Sequence, residues 1–430
     1  MTRPHAVLAC LGSLLVLGGT LVGCEASTGS DGSSRTDGEA ADASRGPDTG
    51  STPATDAGDA SAEGGGCEAI LGLSASDCQR VQALQLPAAL PPALGNRYGD
   101  DEAAARLGFQ LFFDSNIGTG VSCATCHSPD LAFTDRLSVS TGKSVGTRNA
   151  FTVYNAGRLS VIFWDGRADS LWSQPLFAIE NPLEMGSTRL ALAHLVASDA
   201  SLLPMYENTF GPMSDISQLP ATGMPGQASF DGLTAEQQDT VDRIAANAGK
   251  ALQAYLRLNT SGPAPIDAYL SGNSAAIIDL AKKGLSLFVT SGCIDCHSGP
   301  MLTDQGFHDV SFPSLPNANH DPGRADALAI LDVNVFNLQG PYADPPTTGG
   351  TFVPPPEPSN PDGAFRTPPL RNVTETGPYG HDGALVSLDD VLAVHASPLS
   401  LADQGAIIAF LQTLLGQTPP LPWSTWPTPQ

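Results

Sequence analysis

Basic side chains are scarce in this sequence. Twenty lysines and arginines stand against 44 aspartates and glutamates, for a formal charge of −24. That balance excludes nucleic acid as a partner. It leaves a basic redox protein, or plain solubility, as what the field serves. Long apolar runs are missing as well. Residues 6–22 form the one stretch of note, too short and too weakly flanked for a good transmembrane helix. Strand-rich segments and strict internal repeats are also absent.

Large apolar residues are missing altogether from residue 25 to about 66, where Gly, Ala, Ser, Thr, Asp and Pro dominate. Such a segment buries no core and reads as a disordered tether, assigned to residues 24–83. Ahead of it, Arg3, the apolar run and Leu21-Val22-Gly23-Cys24 resemble a bacterial lipoprotein signal over residues 1–23, with Cys24 acylated. Lipid on Cys24 would hold the protein to a membrane without spanning it. The expected location is the periplasmic side of the cell envelope, anchored to the outer membrane.

Cysteine is used sparingly, eight times in all. Four of the eight fall in two copies of Cys-x-x-Cys-His: Cys123-Ala124-Thr125-Cys126-His127 and Cys293-Ile294-Asp295-Cys296-His297. This pentapeptide is the attachment signature of c-type haem: two thioethers to the macrocycle and an adjacent histidine as iron ligand. A zinc site made from two Cys-x-x-Cys pairs has no use for either histidine. The motifs lie too far apart for one small fold, so one haem per domain is expected. Cys10 leaves with the signal. Cys67 and Cys78 remain and should pair in an oxidising compartment, clipping the tether to the first domain.

Helices are expected over residues 101–113, 242–258, 279–289 and 402–415, with a capped start at Ser387-Leu388-Asp389-Asp390. The first and third deliver the two haem motifs. Residues 311–365 are rich in Pro, Asn, Asp and Gly and should form a long excursion with little regular structure. The fold expected is mainly α, two cytochrome c-like domains over residues 84–260 and 261–430.

Further motifs lie around the haem signatures. Leu107-Gly108-Phe109-Gln110-Leu111-Phe112-Phe113-Asp114 precedes the first; Phe163-Trp164-Asp165-Gly166-Arg167, Gln174-Pro175 and Asn181-Pro182-Leu183-Glu184-Met185 follow it. Leu370-Arg371-Asn372 and Thr376-Gly377-Pro378-Tyr379-Gly380-His381-Asp382-Gly383 follow the second. In this order the set resembles the bacterial dihaem cytochrome c peroxidases and the related MauG proteins, over about residues 84–415. The resemblance implies a peroxide-reacting haem at Cys123, Cys126 and His127. Glu184 would be its acid–base residue, with Gln174 beside it. An electron-transfer haem would sit at Cys293, Cys296 and His297, with Trp164 between the two. It also implies a calcium ion held by Asn149, Thr376 and Pro378, a site of hard oxygens. Hydrogen peroxide, a small redox protein such as a cytochrome c or cupredoxin, or a protein substrate, and a second copy of the chain as a homodimer are the partners this reading admits. The reaction implied is peroxide reduction; a MauG-like oxidation of a partner protein and a plain dihaem electron carrier are the alternatives.

Two absences set this chain apart. The peroxidases carry a histidine after the first haem motif that caps the resting iron. None occurs here between His127 and His194, which makes an open first haem the expectation and His194 structural. The peroxidases also place a methionine, and MauG a tyrosine, fourteen residues after the histidine matching His381. That position is His395, and no methionine follows Met301. Bis-histidine ligation by His297 and His395 is therefore expected, with a lowered potential.

Overall fold

Polar caps and apolar stripes divide the chain into helices much as expected. The computed structural model describes residues 65–331, 333–345, 352–395 and 398–418. The signal segment, Cys24 and most of the tether lie outside the described residues. Two short helices come first, α1 (Gly65–Leu71) and α2 (Ala75–Gln82). Next come α3 (Glu102–Phe113), α4 (Cys123–Cys126), α5 (Gln174–Glu180), α6 (Arg189–Ser198), α7 (Leu202–Phe210), α8 (Ala228–Asp231) and α9 (Ala235–Leu258). The remainder are α10 (Pro265–Leu270), α11 (Asp279–Thr290), α12 (Cys293–Cys296), α13 (Arg324–Leu331), α14 (Leu388–His395) and α15 (Leu401–Gln412). Among the described residues the only sheet is two-stranded and antiparallel, pairing β1 (Phe307–His308) with β2 (Phe365–Arg366).

Each haem motif follows a helix that crosses a partner at a glycine. Asp101 caps α3 by accepting the Ala104 N–H at 2.8 Å. Where α3 meets α9, a Cβ on Gly108 would lie 2.0 Å from the Ala251 carbonyl oxygen. Only glycine permits so close a crossing. In the second lobe α11 meets α15 the same way, with Gly284 against the Ala406 carbonyl at 1.9 Å. The α9 face formed by Ile244, Ala248, Ala251, Leu252, Tyr255 and Leu256 is buried throughout. This helix begins earlier than its apolar period indicates. Thr234 and Gln237 bond reciprocally at its start, at 2.9 and 3.3 Å, and its first turns are polar.

Two segments leave their expected places. Cys67 and Cys78 are disulfide-bonded, but α1 packs against α11, and Leu71, Leu73, Val81 and Leu84 share one core with Leu285 and Ile407. The clip therefore holds the second lobe, not the first. The tether assigned to residues 24–83 is helical in its last part, because Leu71, Leu73 and Val81 have a core to enter. The excursion 311–365 contains α13 and turns back onto the first lobe, where Phe336 and Tyr342 join the core of Leu107, Trp172 and Tyr255.

Candidate haem sites

The first site is built at the end of α3. Asp114 caps a 3₁₀ turn, Ser115–Gly118, by accepting the Asn116 N–H at 2.8 Å. Then α4 presents Cys123, Cys126 and His127. The His127 Nδ1 lies 3.3 Å from the Phe133 carbonyl oxygen. An N–H donated there leaves the Nε2 lone pair for a metal. The carbonyl is aimed by left-handed backbone at Ala132 and Phe133, φ 57° and 56°. Burial lowers the His127 pKa, which keeps the ring neutral as a ligand must be. Burial likewise pushes the Cys123 thiol up to about 12, with Cys126 and Glu184 adding to the rise.

Glu184 stands close to this motif. Its charge is felt at Cys123, Cys126 and His127. The carboxylate accepts the Asn181 Nδ2–H at 2.7 Å and lies 3.7 Å from Arg167 Nη2. Its backbone pins the loop that follows the first motif. Lys143 N–H donates to the Glu184 carbonyl at 2.7 Å, and a Cβ on Gly142 would come within 2.1 Å of the same oxygen. Gln174 opens α5 and is half-buried. His194 lies 3.1 Å from the Pro220 carbonyl through Nε2, as a structural residue would.

The second site repeats the plan. His297 Nδ1 lies 3.1 Å from the carbonyl oxygen of Leu302, whose φ is 51°. Burial lowers the His297 pKa to about 4. His395, on α14, faces it: the ring centroids are 6.4 Å apart and the planes lie at 83°. Two imidazoles bonded end-on to one metal, each at about 2 Å, have centroids roughly 6 Å apart. A cavity of about 440 Å³ contains both rings together with Cys293 and Cys296. Its size lies within the range of about 300–1,000 Å³ for cofactor pockets. Leu388, Val391 and Leu392 line it beside His395, as the shared helix face predicts. These residues fit a c-type haem. The other described histidines are engaged elsewhere: His308 with Asp304 at 2.9 Å, His320 with Asp362 at 2.8 Å, and His381 stacked on Phe365 at 4.0 Å.

The same cavity extends to the wall between the lobes, formed by Asn149, Phe151, Trp164 and Arg366. Trp164 stacks on Phe151 with centroids 3.9 Å apart and donates its indole N–H to the Asn149 carbonyl at 3.0 Å. Thr376 and Pro378 line this cavity too. The Asn149 side-chain amide donates to the Leu137 carbonyl at 2.8 Å, and its backbone N–H donates to the His381 carbonyl at 2.8 Å.

Residues 102–275 match the di-haem cytochrome c peroxidase family. The chain is 31% identical over 374 residues to the cytochrome c551 peroxidase of Pseudomonas aeruginosa, an alignment covering 83% of this chain and 94% of that protein. The chain belongs to the di-haem cytochrome c peroxidase family. The methylamine utilization protein MauG of Methylorubrum extorquens is 29% identical over 348 residues, 76% of this chain and 82% of that one. The diheme peroxidase BthA of Burkholderia thailandensis shares the fold, with a TM-score of 0.57 at 22% identity over 76% of this chain and 88% of that one. Two haems per chain follow from membership of this di-haem family.

Two charged residues near these sites, Arg148 and Asp321, carry no local sequence signal. Arg167 bonds Asp165 at 3.0 and 3.2 Å, and Arg148 bonds Asp165 and Asp321. This chain of charges runs from Glu184 in the first lobe to the excursion of the second. Arg167 ends the Phe163-Trp164-Asp165-Gly166-Arg167 motif and could be suspected there. Arg148 and Asp321 lie far apart in sequence and meet only in the fold.

Proposed function

We propose that this family member is a dihaem c-type peroxidase. It reduces hydrogen peroxide at the site of Cys123, Cys126 and His127, and electrons arrive through the site of Cys293, Cys296, His297 and His395. One asymmetry carries the reading: a second histidine faces His297, whereas the charged groups felt at His127 are the carboxylates of Asp135 and Glu184. A carrier gains from two closed sites; a peroxidase needs one open. Bound haem supplies iron that exchanges electrons with peroxide. His127 and His297, each held through Nδ1, orient their Nε2 atoms as ligands. Glu184 moves a proton between the peroxide oxygens as O–O cleavage requires, with Gln174 beside it. Trp164 and Phe151 offer an aromatic path across the lobes.

The finer features belong to the same proposal. Asn149, Thr376 and Pro378 all line the cavity, and their oxygens are of the hard type suited to a calcium ion. The electron donor is a small redox protein, and lipid on Cys24 anchors the enzyme in the periplasm at the outer membrane. A second reading, oxidation of a residue on a partner protein, is favoured by one observation: no histidine occurs between His127 and His194 to cap the first iron. Steady-state turnover with peroxide and a reduced cytochrome c separates the two. Rapid donor oxidation supports the peroxidase; donor oxidation no faster than without enzyme would overturn it.

A further inference from the structure

Arg366 is a buried cation without a counter-ion. Its side chain belongs to β2 and is 2% exposed. Nε–H donates to the Phe163 carbonyl at 3.1 Å, while Nη1 has no hydrogen-bond partner. The guanidinium lies over the Phe151 ring, 4.9 Å from its centroid. Its backbone N–H donates to the Trp164 carbonyl at 2.7 Å, so the residue is fixed against the wall between the lobes. The carboxylate whose charge it feels, Asp165, is already bonded by both Arg148 and Arg167. Burial lowers the pKa of Arg366 to about 10, against the pull of Asp165, so it remains charged at neutral pH.

A lone buried charge is strongly unfavourable unless an anion completes it. The other arginine lining the cavity, Arg371, is satisfied by two bonds to Asp267, of 2.7 and 2.8 Å. Arg366 therefore holds the cavity's unanswered positive charge. Haem carries two propionates, and guanidinium is well shaped to bind a carboxylate. We infer that Arg366 is the counter-charge for a propionate of the haem attached at Cys293 and Cys296, received at the wall made by Phe151 and Trp164. The inference rests on the reading above that this cavity holds haem. A cation there favours the reduced iron and sets the second haem's potential from the side facing the first.

The test uses the full chain with both haems attached. Arg366→Gln and Arg366→Lys are compared with wild type by mass spectrometry, by redox titration of each haem's absorption, and by the propionate bending bands in resonance Raman spectra. The expected result is a lower midpoint potential for the second haem in Arg366→Gln, a shifted propionate band, and recovery of the potential in Arg366→Lys. Two covalent haems with unchanged potential and unchanged band would overturn the inference. So would an equal shift of both haems, which marks a general distortion. Should Arg366→Gln fail to accumulate, Arg366→Lys decides through its propionate band, since a lysine cannot make the same forked contact. A wild-type protein without haem at Cys293 and Cys296 would instead refute the underlying reading.

Discussion

Arg148 grips Asp321 through two hydrogen bonds of 2.7 Å each, joining the first lobe to the excursion of the second. Through Asp165 and Arg167 the same chain of charges approaches Glu184. Glu184→Gln should keep both haems and lose about 100- to 10,000-fold in the rate of reaction with peroxide, because an amide cannot shuttle the proton. Stopped-flow mixing with peroxide measures it. A loss under about threefold would assign Glu184 to structure alone.

The resting diferric protein should bind cyanide without prior reduction. No histidine occurs between His127 and His194, and His194 is occupied at the Pro220 carbonyl. Spectral titration with cyanide checks this. Two six-coordinate low-spin haems that open only after partial reduction would refute it.

His395→Ala should convert the second haem from low-spin to high-spin, and His395→Met should raise its potential, since thioether favours ferrous iron more than imidazole does. Magnetic circular dichroism and redox titration read the two effects. An unchanged low-spin spectrum in His395→Ala would mean that another residue is the ligand.

Asp267 pairs with Arg371 in the second lobe, and both are buried. Burial acts to raise the carboxyl pKa, but the bonds from Arg371 and two backbone N–H groups hold it below the ordinary value. A depressed carboxyl stabilises the fold above its unfolded pKa of about 4, and that contribution is lost as the pH falls through the folded value. Asp267→Asn should cost about 3–5 kcal/mol at neutral pH, since it leaves Arg371 buried and unpaired. The difference from wild type should shrink in acid. Denaturant melts at pH 7 and below pH 4 check both statements.

Gly108→Ala and Gly284→Ala should each destabilise by about 1–3 kcal/mol or more, because a methyl group has no room against the crossing helix. Thermal melts with haem content monitored would reveal it. A neutral effect at either position would show that the crossing can open without loss.

Local patterns carried most of what the sequence reveals. The haem signatures are five residues long, Asp101 and Ser387 announce helix starts, and the α9 face repeats at helical spacing. His395 was legible only by counting from a neighbouring motif. What stayed hidden depends on distant pairings. Nothing in Leu71 or Val81 indicates that they belong to the core of the second lobe, and a polar stretch just before them disguised their role. Phe336 and Tyr342 sit in a segment rich in turn residues, so their burial in the first lobe leaves no periodic trace. Arg366 looks like any strand-end arginine until the crowding around Asp165 is seen.

The excursion also sets an order of assembly. Translation runs from the N-terminus, and the first lobe cannot complete its core until Phe336 and Tyr342 have emerged. Both Cys-x-x-Cys-His segments precede those residues. Both haem-binding peptides thus precede, in chain order, two residues that the first lobe needs to complete its core, so a machinery that requires an accessible substrate can act on a chain whose first lobe is still open.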